Sequence, residues 1–243
     1  MKIQQAILII FLFFTSCKKE NRFDCFKSTG DIITEQRFSE PFTGISVSDN
    51  VNLYLTQDSL FSIYLEAGEN LISLIRSEVK DRILYLDNDN TCNWVRSFKP
   101  KVNAYVSMPS LLFLEYDGCG NIFTRNIFKD DSIRVECKNG SGIIEASLDV
   151  KKCFLIIHTG PADFNISGKA DELQLYYNGS GMIHTENLPN HYTYVTQKST
   201  GDCFINVDNL LIYNISWTGD IFYTGAPSQV QGNITGTGQA IPF

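Results

Sequence analysis

Long apolar runs are missing from this sequence. The one candidate, residues 6–14, is shorter than the roughly 18 residues a membrane-spanning helix needs. Basic blocks are missing too. After Lys19 the Lys and Arg residues are scattered, and the net charge is −7. That excludes the electrostatic footprint of a nucleic-acid binder and a polybasic membrane patch, so no nucleic-acid partner is expected. No Cys-x-x-Cys, no His-Glu-x-x-His and no Ser, His and Asp arrangement is present. Thiol-redox, zinc and serine-type chemistry therefore lack their usual residues, and no cofactor is expected. The histidines are His158, His184 and His191. The first two fall at different positions of the repeat described next, so they should not converge; all three read as surface or strand residues.

What the chain does have is a ladder of similar turns in its second half. The rungs include Gly118-Cys119-Gly120-Asn121-Ile122, Gly140-Ser141-Gly142-Ile143-Ile144 and Gly179-Ser180-Gly181-Met182-Ile183. Others are centred on Ala162, Gly201, Gly219 and Gly238. The step is roughly 20 residues, in the range of solenoid repeats. The third position of each rung is Gly except at Ala162. Two residues later comes an inward-type side chain: Ile122, Ile144, Phe164, Ile183, Cys203, Ile221 and Ala240. Glycine tolerates positive φ, which accounts for its use where a strand bends sharply. The flanks alternate with period two, as in Ile133, Val135 and Cys137, which means strand rather than helix. Strands that recur once per turn lie parallel, and such connections are right-handed. The expected fold is all-β: a right-handed parallel β-helix, or β-solenoid, with a β-rich N-terminal capping region containing one short helix. An antiparallel meander with Gly-rich hairpins is the rival, but hairpins recur every 8–12 residues or so.

The chain divides accordingly. Residues 1–16 have the layout of a signal peptide and 17–29 that of an anchor and tether. Residues 30–243 form the solenoid, with 30–108 as its capping part and 109–243 as the ladder. Thr15-Ser16-Cys17 closes the apolar run. It resembles a bacterial lipobox, with Phe14 where Leu is commoner, which makes Cys17 the acylated residue; an ordinary signal with a chance cysteine is the alternative. Several acyl chains on one residue anchor stably where one is marginal. The expected location is the outer membrane, as a lipoprotein on its periplasmic or outward face. Within the cap, Asn70 is placed to start a helix carrying Leu71, Leu74, Ile75 and Val79.

The order Glu35-Gln36-Arg37-Phe38, Phe42-x-Gly44-Ile45-x-Val47, Val51-x-Leu53-x-Leu55, a short helix, Met108-Pro109-Ser110-Leu111, then Gly118-x-Gly120-Asn121-Ile122 resembles the GIN-domain family. These are autotransporter-type adhesin heads, common in Bacteroidetes as lipoproteins. The resemblance runs from about Thr34 to about Gly225. It implies a β-helical head with an adhesive role, and it brings no catalytic residues.

Apart from Cys17 six cysteines remain. Cys203 and Cys137 sit at inward positions and read as buried thiols, Cys119 lies at a corner, and only Cys25 and Cys92 look free to pair. Asp202 and Asp220 share one column on adjacent rungs, about 5 Å apart at strand spacing. They could act as acid and base of a β-helix glycosidase or bind Ca²⁺ through oxygen ligands. An Asx-type turn at a corner explains them more simply. Aromatics crowd the last full rungs. Tyr176, Tyr194 and Trp217 are the proposed ligand contacts on an exposed solenoid face suited to sugars or a protein partner. The crowd comprises Tyr176, Tyr177, Tyr192, Tyr194, Tyr213, Trp217, Phe222 and Tyr223, and core filling with β-propensity explains roughly two-thirds of them. Three functions follow: a lipid-anchored, non-catalytic adhesin-like head, a carbohydrate-active enzyme, or a structural envelope component. The C-terminal end of the coil has little to cover it and is placed to pair with a second copy.

Overall fold

The computed structural model describes residues 28–91 and 102–243 of the chain. Its strands join in one 17-stranded sheet, wound as a β-solenoid of about six turns. The central turns are single long strands: β11 (Ile143–Ile157), β12 (Asp163–Tyr177), β13 (Ile183–Gln197) and β14 (Cys203–Ile215). In the flanking turns each is split. β9 (Ile122–Thr124) and β10 (Phe128–Cys137) pair with the two halves of β11. β15 (Ile221–Thr224) and β16 (Gln229–Ile234) pair with the two halves of β14. The coil thus has two main sides, a first carrying the early half of each turn and a second carrying the late half. All these pairings are parallel.

Strand spacing of about 4.8 Å puts like positions of successive turns in contact. Ile122, Ile144, Phe164, Ile183, Cys203 and Ile221 are in register from turn to turn, and each is fully buried. The column extends to Leu53 and Ala104 at one end and to half-buried Ala240 at the other. Burying such side chains contributes about 1.5–3 kcal/mol each, the main term holding the coil together.

The rung glycines serve a different purpose from the one expected. Gly120, Gly142, Gly181, Gly201, Gly219 and Gly238 are absent from the positive-φ residues; of the rung glycines only Gly160, at a first position, has φ +95°, and Gly168 and Gly225, also at positive φ, lie outside the rungs. Their role is close approach. A Cβ on Gly201 would lie 1.9 Å from the carbonyl oxygen of Gly181 one turn below, and one on Gly142 would lie 2.2 Å from that of Gly120. The second side adds a polar device behind these corners. Tyr116, Cys137, Ile157, Tyr177, Gln197 and Ile215 form one inward column. The Tyr116 hydroxyl donates to the Gly120 carbonyl at 2.6 Å and accepts the Gly142 N–H at 2.7 Å. The Tyr177 hydroxyl donates to the Gly181 carbonyl, and Gln197 Nε2 to that of Gly201 at 2.9 Å. Buried corner carbonyls are thereby satisfied. Burial pushes the Tyr116 phenol up to about 12 and raises Tyr177 as well.

Coil and cap interleave at the N-terminal end. β2 (Gly44–Asp49) and β3 (Val51–Gln57) already form a turn of the solenoid. On one flank it meets β6 (Ile83–Asn88) and β7 (Val102–Met108); on the other it meets β8 (Phe113–Gly118) and β9. The turn made first in the sequence is therefore second in the stack. Three antiparallel strands close the end: β5 (Ile75–Lys80) on β6, β4 (Ser62–Gly68) on β7, and β1 (Ile32–Arg37) on β4. The helix expected from Asn70 is only a 3-10 turn, Ile72–Leu74. Asn70 instead donates its side-chain N–H to the Ser28 carbonyl at 3.1 Å. Ile75 and Val79 belong to β5, because pairing with β6 outweighs a weak local helical preference. At the C-terminal end β16 and β17 (Ala240–Pro242) are the last strands.

Candidate ligand-binding face

Asp202 and Asp220 do occupy one outward column on adjacent turns, but one oxygen of each is committed to the backbone of the next turn. Asp202 Oδ1 accepts the Asp220 backbone N–H at 2.8 Å, and Asp220 Oδ1 accepts that of Gln239 at 2.7 Å. Asp163 does the same for Met182 at 2.7 Å, Asn121 for Ile143 at 3.0 Å, and Asn52 for Asn121 at 2.9 Å. These are links from turn to turn, not the local Asx turn that the sequence suggested. The column reinforces backbone bonds between the same turns, such as those from the Ile183 N–H to the Asp202 carbonyl at 3.1 Å and from the Cys203 N–H to the Asp220 carbonyl at 3.0 Å. Among the described residues no group of three or more His, Cys, Asp or Glu side chains is placed to hold a metal ion.

Tyr176 and Tyr194 lie on the outer surface of the second side. They line a shallow hollow of about 160 Å³ together with Phe154, Ile156, Gln174 and Thr196. The Tyr176 ring is approached by the Lys198 ammonium, 5.4 Å from its centroid, and by His158 at 6.2 Å. Trp217 is 56% exposed but sits in the corner that follows β14, apart from that hollow. Tyr177 is fully buried, and Tyr213 and Tyr223 pack against the core. The second side also carries a charged knot. Glu136 is buried, and Arg134 Nη2 at 2.8 Å, His158 Nε2 at 2.8 Å and Lys138 Nζ all meet its carboxylate. Burial opposes the charge, but these three partners overcome it and hold the carboxyl at about 2.

The most ordered outward feature is on the first side. One column, a single residue after the inward stripe, runs Tyr64, Tyr105, Tyr54, Phe123 and then, after two other turns, His184, Phe204 and Phe222. The two turns between carry Glu145 and Asn165. Tyr105 and Tyr54 stack at 5.1 Å, Tyr54 and Phe123 at 5.4 Å, with the Arg125 guanidinium 4.7 Å from the Tyr105 centroid. His184 and Phe204 stack at 4.8 Å, and Phe204 and Phe222 at 4.9 Å, with Phe243 edge-on to both. At the break in the column lies an open hollow of about 410 Å³ lined by Glu145, Asn165, Ser167, His184, Glu186 and Asn187. Of these residues the sequence reading considered only His184, and without a role. The signal was present in the column adjacent to the inward one.

His191 is exposed and bonded to Asp208 at 2.8 Å, a contact that raises its pKa. Cys137, Cys153 and Cys203 are buried free thiols and Cys119 is an exposed one. Burial pushes the thiols of Cys137 and Cys153 up to about 11 and about 12. Cys17, Cys25 and Cys92 lie outside the described residues. Among the described residues no helix is long and apolar enough to cross a membrane, which says nothing of a β-barrel.

A family model described as "Putative auto-transporter adhesin, head GIN domain" matches residues 41–227. Solved structures share the fold. A crystal structure of a "putative adhesin" from Bacteroides fragilis matches with a TM-score of 0.80 at 24% identity, over 88% of this chain and 97% of that one. One from Parabacteroides merdae, named in the same words, gives 0.71 at 19% identity, over 89% and 98%. A protein from Parabacteroides distasonis described as a "Putative lipid binding protein" gives 0.67 at 14% identity, over 89% and 98%. No curated protein matches. At these identities the structures attest the architecture, whereas the family match spans most of the sequence and includes the turns that build both outward faces: the chain belongs to the GIN-domain family.

Proposed function

We propose that this chain is a non-catalytic, lipid-anchored protein of the outer membrane whose solenoid head binds glycans on an opposing surface. The observation that carries the binding role is the outward ring column of the first side, a rigid array of aromatic groups held in register by the coil. Adhesin-like family membership supports a place in the envelope. The lipobox-like segment ending at Cys17 supports the anchor, with the following residues up to 29 as its tether. Fluorescently labelled protein applied to a glycan array should bind a subset of oligosaccharides. Silence across the array, with capture of one envelope protein instead, would replace glycans with a protein partner. Metabolic labelling with a tagged fatty acid should mark the wild type and not Cys17→Ala; equal labelling of both would remove the anchor. The tyrosine hollow around Tyr176 and Tyr194, with Trp217 beyond it, is a second contact region on the same head. A catalytic role through Asp202 and Asp220 is disfavoured, because each carboxylate spends an oxygen on the next turn's backbone. Release of reducing ends from polysaccharide, lost in Asp220→Asn, would restore it.

A further inference from the structure

The rings of the first side stack along the coil axis, so each covers its neighbour's face. In the Tyr105, Tyr54, Phe123 stack and the His184, Phe204, Phe222 stack, the inner faces are those next to the break: Phe123 towards Glu145, and His184 towards Asn165. No ring of the column covers either of them. The break is two turns wide, and at about 4.8 Å per turn it has room for two ring-sized groups. The hollow of about 410 Å³ opens at this break and is bounded by His184 on one side; Phe123, one turn beyond Glu145, faces the break from the other side and lies outside the hollow's own lining. The column is therefore a ladder of rings with two rungs missing, and the open space lies on the His184 side of the gap.

The lining of that space tells what fits it. Glu145 and Asn165 are exposed at its floor. Glu186 Oε1 bonds His184 Nδ1 at 3.0 Å, while its Oε2 is buried and has no hydrogen-bond partner among the described residues. A buried carboxylate oxygen without a donor is costly, so the Glu186 carboxylate gains by turning towards a ligand hydroxyl or amino N–H in the hollow. No Lys or Arg lines the hollow. An anionic ligand would meet two carboxylates with no counter-charge, whereas a ligand rich in hydroxyl donors meets acceptors throughout.

We infer that the break between Phe123 and His184 is a saccharide slot, taking one or two neutral or amino-bearing pyranose rings whose C–H faces pack on Phe123 and His184 and whose hydroxyls donate to Glu145 and Glu186. This rests on the glycan reading above and narrows it to a site and a sugar class. Aromatic walls with acceptor side chains between them are a general solution to binding a ring that has apolar faces and a polar rim.

The test uses the full chain on an array holding neutral, amino-bearing, uronic and sialylated oligosaccharides, with affinities then measured for the binders. Neutral or amino sugars should bind, and acidic ones more weakly. Phe123→Ala should weaken binding by roughly tenfold, the size of a lost stacking contact. Asn165→Tyr should abolish it by supplying a ring where the sugar lies, and since Asn165 is exposed the thermal midpoint should hold or rise. Glu186→Gln should weaken neutral binders and narrow the gap to acidic ones. A wild type that binds sugars equally well after Phe123→Ala and Asn165→Tyr sinks the slot but leaves the glycan role standing. A preference for acidic sugars also sinks the slot. A wild type that binds no sugar sinks both.

Discussion

The two ends of the coil manage their exposed strand edges in opposite ways. At the N-terminal end the last strands are antiparallel and mostly polar, with Thr34, Glu35, Gln36 and Arg37 in β1 and Arg76, Glu78 and Lys80 in β5, although Ile32 and Ile33 of β1 are exposed as well. Charge and reversal of direction both discourage a further strand. Beneath them the core is sealed, with Leu65, Ile75 and Leu84 buried to 1% exposure or less. At the C-terminal end the direction never reverses. Every residue of β16 is exposed, Val230 and Ile234 are 43% and 45% exposed, and Phe243 is 61% exposed. One end is finished and the other is an open parallel edge. A solenoid of stacked units needs capping wherever it stops, and among the described residues the antiparallel cover lies at the N-terminal end.

The largest expected effect lies between the ends and sets the scale for both. Gly201→Val places a side chain against the Gly181 carbonyl and should cost more than about 4 kcal/mol, the range of severe backbone clashes. Denaturant unfolding of the variant checks this, and a loss below that level would show that the corners can part. Next, Leu65→Ala under the finished end should cost about 2–5 kcal/mol, while Ile234→Ala on the open edge should stay within about 0.5 kcal/mol of the wild type. Equal losses at the two positions would erase the distinction. Third, Val230→Lys with Ile234→Lys should shift any self-association to monomer in sedimentation, and Arg76→Val with Glu78→Val and Lys80→Val should create association at the finished end. If neither pair of changes moves the sedimentation profile, edge character does not govern assembly.

The smallest effect is acid sensitivity near the charged knot. The folded pKa of Glu136 is depressed to about 2 from 4.5. Its contribution is therefore present above about pH 4.5 and is lost as pH falls towards 2. Glu136→Gln should flatten the stability curve between those values and lower the plateau above them. An unchanged curve would mean that Arg134, Lys138 and His158 contribute nothing through the carboxylate.

Much of the coil could be read directly from the repeating positions. The inward column from Ile122 to Ala240 followed because strand spacing leaves like residues no other neighbours. The β2–β3 turn escaped notice because its corner is Asp49-Asn50 without glycine. Asp49 takes φ 59° there, a region that Asp tolerates better than most residues. The glycine rule was right in position and wrong in cause, since a missing Cβ serves close approach as well as positive φ. The corner bonds of Tyr116, Tyr177 and Gln197 were not legible in the sequence, because only three dimensions show their polar ends reaching the corner carbonyls. The ring column was available one position to the right of the inward stripe, as Phe123, Glu145, Asn165, His184, Phe204 and Phe222. Reading the outward residues in the same alignment would have shown both the rings and the break. Tyr176, Tyr194 and Trp217 were gathered by crowding along the chain, which does not distinguish the two sides from the corner.

The turn formed by β2 and β3 is clasped between two turns that the chain makes later. Mechanical load on the head should therefore meet unequal resistance. Tension applied at the far terminus can peel β16 and its successors away one at a time. Tension applied at the N-terminal side first strips β1 from β4 and then must shear the clasped layer from both neighbours together. A coil built this way yields turn by turn from its last strands and resists as a block once the clasped layer is loaded.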